Sequence, residues 1–204
     1  MSKDFGDYNT LGNWNTLGDD NTLGNWNTLG DDNTLGNYNK LSNYNTLGNY
    51  NKLSNYNMLG DCNTLGNWNT FGDCNMLGDG NTLGDGNILG DFSTLGAKLR
   101  FGKRLTISGC KALAIMCMSN VDGTGRKINV IVHTEGIKIE AGCFGGTLDE
   151  FCEKATSEGK TRYARVVRAA AEALQADVAD KGITGGWDED FDCAAITKVT
   201  GEPA

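Results

Sequence analysis

The sequence predicts a hexapeptide-repeat β-solenoid followed by a small α+β domain. Three observations carry that prediction. A six-residue repeat runs from Phe5 to Leu95, it contains no run of helix-forming residues, and alternating and then helical patterns replace it beyond residue 112. A fixed short period of this kind belongs to coils that stack and bury a continuous column.

Each hexad reads L-G-(N/D)-x-N-T. Leu recurs at 11, 17, 23, 29, 35, 41, 47, 53, 59, 65, 77, 83, 89 and 95, with Phe at 5 and 71. Asn and Leu lie two apart, so on a strand they share the inward side and leave Thr and Gly outside. The (N/D)-x pair is expected to make the corner, because Asn and Asp tolerate positive φ. An inward Asn must find partners, and stacked coils at about 4.8 Å spacing offer an amide ladder.

Two hexads per coil would make a flattened helix, three a triangular prism. Charge favours three. Two per coil stacks Asp19-Asp20 on Asp31-Asp32 and Lys40 on Lys52, and like charges one coil apart are destabilising. The two-hexad register has its own attraction, a single corner column of Trp14, Trp26, Tyr38, Tyr50, Cys62 and Cys74.

After Leu95 the Asn disappears and Lys98, Arg100, Lys103 and Arg104 arrive. These are expected to close the last coil as a polar cap, giving a solenoid over 1–112. In the second domain, 113–182, the strands Ile128–His133 and Ile137–Ala141 flank a turn at Glu135-Gly136. Thr147 and Glu150 form a capping box for a first helix ending near Gly159. A second helix, Thr161 to Lys181, has the apolar stripe Tyr163, Val166, Val167, Ala170 and Leu174, and Gly182 stops it. Residues 183–204 form a tail with an acidic aromatic knot, Trp187 to Asp192.

The formal net charge of −8 sits entirely on the repeats. Met1 to Leu95 holds eleven Asp, no Glu and three Lys, whereas the remainder balances fifteen bases against fifteen acids. An acidic solenoid repels phosphates, which argues against nucleic acid and for a basic partner. The longest apolar run, Ala112 to Met118, falls far short of the roughly 20 residues of a membrane span. The seven cysteines show no zinc-like spacing and are read as reduced thiols in a cytosol.

Catalysis is not expected. Hexapeptide acyl transfer needs a general-base His, and a β-helical carbonic anhydrase needs several as ligands. The one His, His133, lies outside the repeats. Ca²⁺ binding by the aspartate pairs fails in the three-hexad register because the pairs do not converge, and no other metal or cofactor is expected. Ice binding by outward Thr is opposed by Lys40, Lys52, Met58, Met76 and Ile88, which break the Thr series.

The candidate binding residues are therefore at the corners: Asp19, Asp20, Asp31 and Asp32, with Trp14, Trp26, Tyr38 and Tyr50. Exposed Trp and Tyr among carboxylates make a protein-binding surface. The competing expectation is that neighbouring rings stack on each other and only stabilise the corner.

"AGCFGGTLDEF", Ala141 to Phe151, followed by the "YARVVRAAAEAL" helix, resembles the β-hairpin-plus-helices module that ends many phage- and prophage-encoded repeat proteins. That resemblance covers about residues 105 to 180. It implies a viral origin, a place in the bacterial host cytoplasm and an accessory role, with no catalytic residue to carry over. The repeats also resemble pentapeptide-repeat proteins, some of which imitate DNA, but they differ in period.

The expectation that follows is a non-enzymatic phage accessory protein. Its acidic, aromatic solenoid would bind and inhibit a host defence or nucleic-acid-handling protein by mimicry or occlusion, as a homo-oligomer. The alternatives are an oligomerising virion or fibre part, and a protein that sequesters a nucleotide signal in pockets between subunits.

Overall fold

Asn-Thr-Leu triplets make two-residue strands, and the chain turns after each one. The structure, a computed structural model, describes residues 3–187. Three hexads close each coil. Thr10–Leu11 pairs in parallel with Thr28–Leu29, Thr16–Leu17 with Thr34–Leu35, and Thr22–Leu23 with Lys40–Leu41. The three resulting parallel faces form a β-solenoid of about five turns.

This settles the choice between two and three hexads on the side that charge favoured. Lys40 stacks on Met58 and Lys52 on Thr70, not on each other. Asp19 lies under Asn37 and Asp31 under Asn49. The single aromatic column of the two-hexad register does not exist; its members are dealt out among three corners.

The interior holds a Leu column, continuous from Leu17 to Leu95 with Phe71 among its members and essentially without solvent exposure. Each such side chain contributes roughly 2 kcal/mol of transfer free energy. Beside it run the inward asparagines, Asn21 to Asn87, equally buried. Their ladder differs from simple amide-on-amide stacking. Each Oδ1 accepts the backbone N–H of the Asn one coil nearer the N-terminus, as Asn57 does from Asn39 at 2.8 Å. Most Nδ2 groups turn to a backbone carbonyl of their own corner, as Asn57 does to Ser54 at 2.9 Å. Asn45 and Asn51 leave Nδ2 without a partner.

A second ladder runs the opposite way at the corners. There the Asn or Asp Oδ1 accepts from the same position one coil nearer the C-terminus, for example Asn13 from Asp31 N–H at 2.8 Å. This ladder explains the repeat's glycine. A Cβ on Gly78 would stand 2.2 Å from Asp61 Oδ1, and one on Gly36 would stand 2.1 Å from Asp19 Oδ1. Serine replaces glycine at Ser42 and Ser54, above Asn25 and Asn37. Those two residues make the longest bonds of the corner series, 2.9 Å each.

Positive φ falls on the residue after the Asn or Asp, not on the Asn or Asp itself. Trp14 (φ 63), Asp32 (φ 57) and Tyr50 (φ 56) are typical. No β-branched residue occupies the position, in keeping with the severe cost of that conformation for such side chains.

The solenoid closes where Leu99 and Leu105 stand in place of Asn, ending the inner ladder. The second face then continues as an antiparallel sheet, Ile107 pairing with Cys110. Its strands are β1 (Cys110–Ser119), β2 (Lys127–His133), β3 (Gly136–Ala141) and β4 (Phe144–Thr147). β1 spans the apolar run and carries no alternation because both sides are covered. Ile115 and Cys117 pack on the solenoid core, Met116 and Met118 on the helical side.

Two helices, α1 (Leu148–Ser157) and α2 (Thr161–Asp180), cover the far face of the sheet. The expected capping box is present: Thr147 N–H donates to Glu150 at 2.8 Å, and Glu150 N–H to Thr147 Oγ1 at 3.3 Å. In α2 the buried stripe is Tyr163, Ala164, Val167, Ala171 and Val178. Val166 faces solvent instead, and the small Ala164 and Ala171 bring the helix close to the sheet.

The joint is polar and specific. Buried Glu140 accepts from the Ser108 hydroxyl and from Phe92 N–H. Asn129 Nδ2 donates to Ser93 O at 2.7 Å. Each corner amide normally donates to a carbonyl of the next coil, as Gly86 does to Lys103 O at 2.8 Å. Arg104, in the last coil, finds Gly185 O instead at 2.7 Å, and its Nε reaches Gly186 O at 2.9 Å. Trp187 Nε1 donates to Ala112 O at 3.2 Å. The start of the expected tail thus supplies the missing rung; the rest of the acidic knot, 188–192, lies outside the described residues.

The two ladders make opposite demands on the same amide. Asn57→Asp buries a carboxylate that can no longer donate, and should destabilise the protein by about 3–5 kcal/mol. Asn55→Asp, at a corner where Asp19 and Asp73 already serve, should change stability by less than about 0.5 kcal/mol. Chemical denaturation of both variants checks the pair, and equal losses would refute the distinction.

Candidate functional site

The corner residue with positive φ has its inward side closed by the coil, so its side chain projects outward. Stacking at every eighteenth residue then builds three ridges. The first carries Tyr8, Trp26, Tyr44 and Cys62; the second Trp14, Asp32, Tyr50 and Trp68; the third Asp20, Tyr38, Tyr56, Cys74 and Phe92.

The eight candidate residues therefore do not form one patch. Trp14, Asp31, Asp32 and Tyr50 share the second corner over three successive coils. Asp19, Asp20 and Tyr38 share the third, and Trp26 stands on the first. No sequence signal short of the register itself separates these groups.

The rings stack on one another at some places and not at others. Trp26 stacks on Tyr44 with centroids 4.4 Å apart and planes 6° from parallel. Tyr38 stacks on Tyr56 at 5.1 Å and 5°. Trp14, by contrast, lies under Asp32 and is 77 % exposed, against 51 % for Trp26. Further along the third corner Cys74 pushes the Tyr56 phenol above its ordinary range, first through charge repulsion and then through a hydrogen bond.

The corner carboxylates divide in two. Asp19 and Asp31 each use Oδ1 as the ladder acceptor, at 2.6 Å from Asn37 N–H and Asn49 N–H. Asp20 and Asp32 occupy the outward-projecting position with φ 59 and 57. One carboxylate of each pair bonds along the ladder and the other stands at the outward corner position; Asp19 and Asp20 are both exposed, Asp31 and Asp32 both half-buried.

Comparison with protein-family models, with curated proteins and with solved structures returns no match. Function is accordingly read from this chain's own geometry.

Elsewhere the titratable groups are dispersed. His133 ends β2, where its Nδ1 accepts Glu135 N–H at 3.2 Å. Burial pulls its pKa below the ordinary value, partly offset by Glu135. Among the described residues no three His, Cys, Asp or Glu side chains gather in a way that could hold a metal ion. No helix among them is long and apolar enough to cross a membrane.

The faces differ more than the repeat suggests. Lys40, Met58 and Met76 stack on the third face. Lys52 and Ile88 flank Thr70 on the second. The first face, where Thr10, Thr28, Thr46, Thr64 and Thr82 stack in register, escapes all of them. The interruption expected to spoil the Thr series is thus confined to two faces.

Single-tryptophan variants test the corner geometry. A protein retaining only Trp14 should emit at longer wavelength than one retaining only Trp26. It should also be quenched more steeply by acrylamide, and identical behaviour would contradict the stacked and unstacked assignments.

Proposed function

We propose that this chain is a non-enzymatic binding protein whose second corner, Trp14, Asp31, Asp32 and Tyr50, engages a basic partner protein. The observation that carries the reading is the alternation on that ridge. An unstacked, highly exposed Trp and a Tyr bracket an outward carboxylate within three coils. Aromatic anchors beside unpaired negative charge supply contact energy and electrostatic steering together.

Asp19, Asp20 and Tyr38 on the third corner form a smaller surface of the same chemistry, and both lie at the end remote from the helical module. The module's resemblance to phage-encoded repeat proteins makes the partner a host factor with a basic, nucleic-acid-binding surface. The protein would occlude that surface inside the infected cell.

Asn replaces Asp at equivalent corner positions without loss of the ladder, so Asp→Asn substitution removes charge while keeping the coil. Wild-type protein immobilised in a bacterial lysate should retain a specific protein at low salt and release it at high salt. Asp31→Asn with Asp32→Asn should weaken retention and flatten its salt dependence, and Trp14→Ala should weaken it at least about tenfold, or ~1.4 kcal/mol. Retention unchanged in both variants would sink the proposal.

A second reading gains from the first face. Five stacked Thr with only Gly beside them present a regular hydroxyl array of the kind that orders water as ice does. Thermal hysteresis in the wild type, abolished by Thr46→Lys, would favour it; ordinary freezing of the wild type would dismiss it.

A further inference from the structure

The third face carries a binding trough that the corner reading does not use. Its outward column is Lys40, Met58, Met76 and Thr94, one residue per coil. Beside this column lies the glycine column, where the corner ladder forbids side chains on Gly60 and Gly78. A ridge next to a row without side chains leaves a trough of about 460 Å³. Met58 and Met76 expose 39 % and 44 % of their surface along it.

The ends of the trough are both basic. Lys40 stands at one end, and Lys127, from the start of β2, joins Thr94 at the other. Asp61 and Asp79, on the adjacent corner, do not line it; each turns Oδ1 to the backbone of the following coil. Beside repeats whose Met1–Leu95 stretch carries eleven Asp against three Lys, two cations bracketing two methionines single out an anionic partner with an apolar middle.

The opposite wall is polar, formed by Asn25, Asn43 and Ser42. Backbone amides of a peptide can meet such a wall, and a hydrocarbon chain cannot. Lys40 to Thr94 spans three coil steps, about 14 Å at the usual strand spacing, which is the reach of roughly four extended residues. We infer that the trough binds an extended segment of a partner protein with the pattern acidic–x–apolar–x–acidic, whose alternate side chains face the same way. The acidic side chains pair with Lys40 and Lys127, and the apolar one between them lies on Met58 and Met76, whose flexible thioethers suit such a surface.

The test uses the full-length protein with ¹³C-methyl methionine and the blocked peptide acetyl-Glu-Ser-Leu-Ser-Glu-amide. The Met58 and Met76 methyl signals should shift saturably, while those of Met116 and Met118, under the sheet, stay in place. Lys40→Glu with Lys127→Glu should abolish the shift and make the protein respond to acetyl-Lys-Ser-Leu-Ser-Lys-amide instead. That exchange of preference cannot arise from misfolding. No shift with the acidic peptide, or an equal shift with the lysine peptide on wild type, overturns the proposal. Met58 and Met76 shifts that depend on protein concentration alone would assign the trough to a second copy and also overturn it. The aspartate substitutions at the second corner should leave the peptide response intact, so failure of the corner proposal and failure of this one are separable.

Discussion

The structure rests on a buried amide that must donate and accept at once. At the inner Asn position, Oδ1 takes the backbone N–H of the coil on one side while Nδ2 closes the corner of its own coil. Aspartate cannot donate, leucine can do neither, and glutamine adds a methylene to a closed interior. A buried polar group left unpaired costs about 1–3 kcal/mol, so the position tolerates almost nothing else. Where it first varies, at Ser93, the hydroxyl still donates to Gly90 O at 3.2 Å, and where Leu99 and Leu105 replace it the ladder stops. The monotony of the sequence follows from that constraint, repeated at every coil.

The corner ladder propagates the same logic outward. Its acceptor needs only one oxygen, so Asn and Asp interchange there, and charge can be added to the surface without touching the core. Its geometry also fills the space above each corner, which is why glycine follows leucine in nearly every hexad. Two hydrogen-bond ladders of opposite direction thus account for Asn, Asn/Asp and Gly, and the Leu column accounts for the fourth fixed position. What remains free is the outward residue of each strand and the outward residue of each corner.

Much of this was legible in the sequence. Period, inward Asn and Leu, the capping box of α1 and the closing basic coil can all be read from residue order, and the three-hexad coil follows from keeping like charges apart. The second-face continuation into β1 was not legible, because Ala112 to Met118 is covered on both sides and so shows no alternation. The strap at Gly185 was hidden for a different reason. It replaces a rung of the corner ladder through backbone groups, which leave no trace in side-chain pattern. The candidate residues were identifiable by type but not by grouping, since Trp14 and Trp26 are neighbours in a twelve-residue pattern yet stand on different corners of an eighteen-residue coil.

The free positions are not used at random across the three faces. The first face keeps Thr at five successive coils, the second admits one Lys and one Ile, and the third gathers Lys40, Met58 and Met76 in succession. The outward side chain of a strand is free of any demand from the ladders, since only the residue's backbone is used, as when Met58 N–H donates to Asn39 O at 2.9 Å. A repeat grown only by duplication would show its substitutions at the duplication period, and Lys40 and Lys52 do sit twelve residues apart. Met58 and Met76 do not; they are eighteen apart, the period of the folded coil and not of the twelve-residue unit. Departures that follow the coil are adjacent only after folding, so the surface they build is a property of the folded third face.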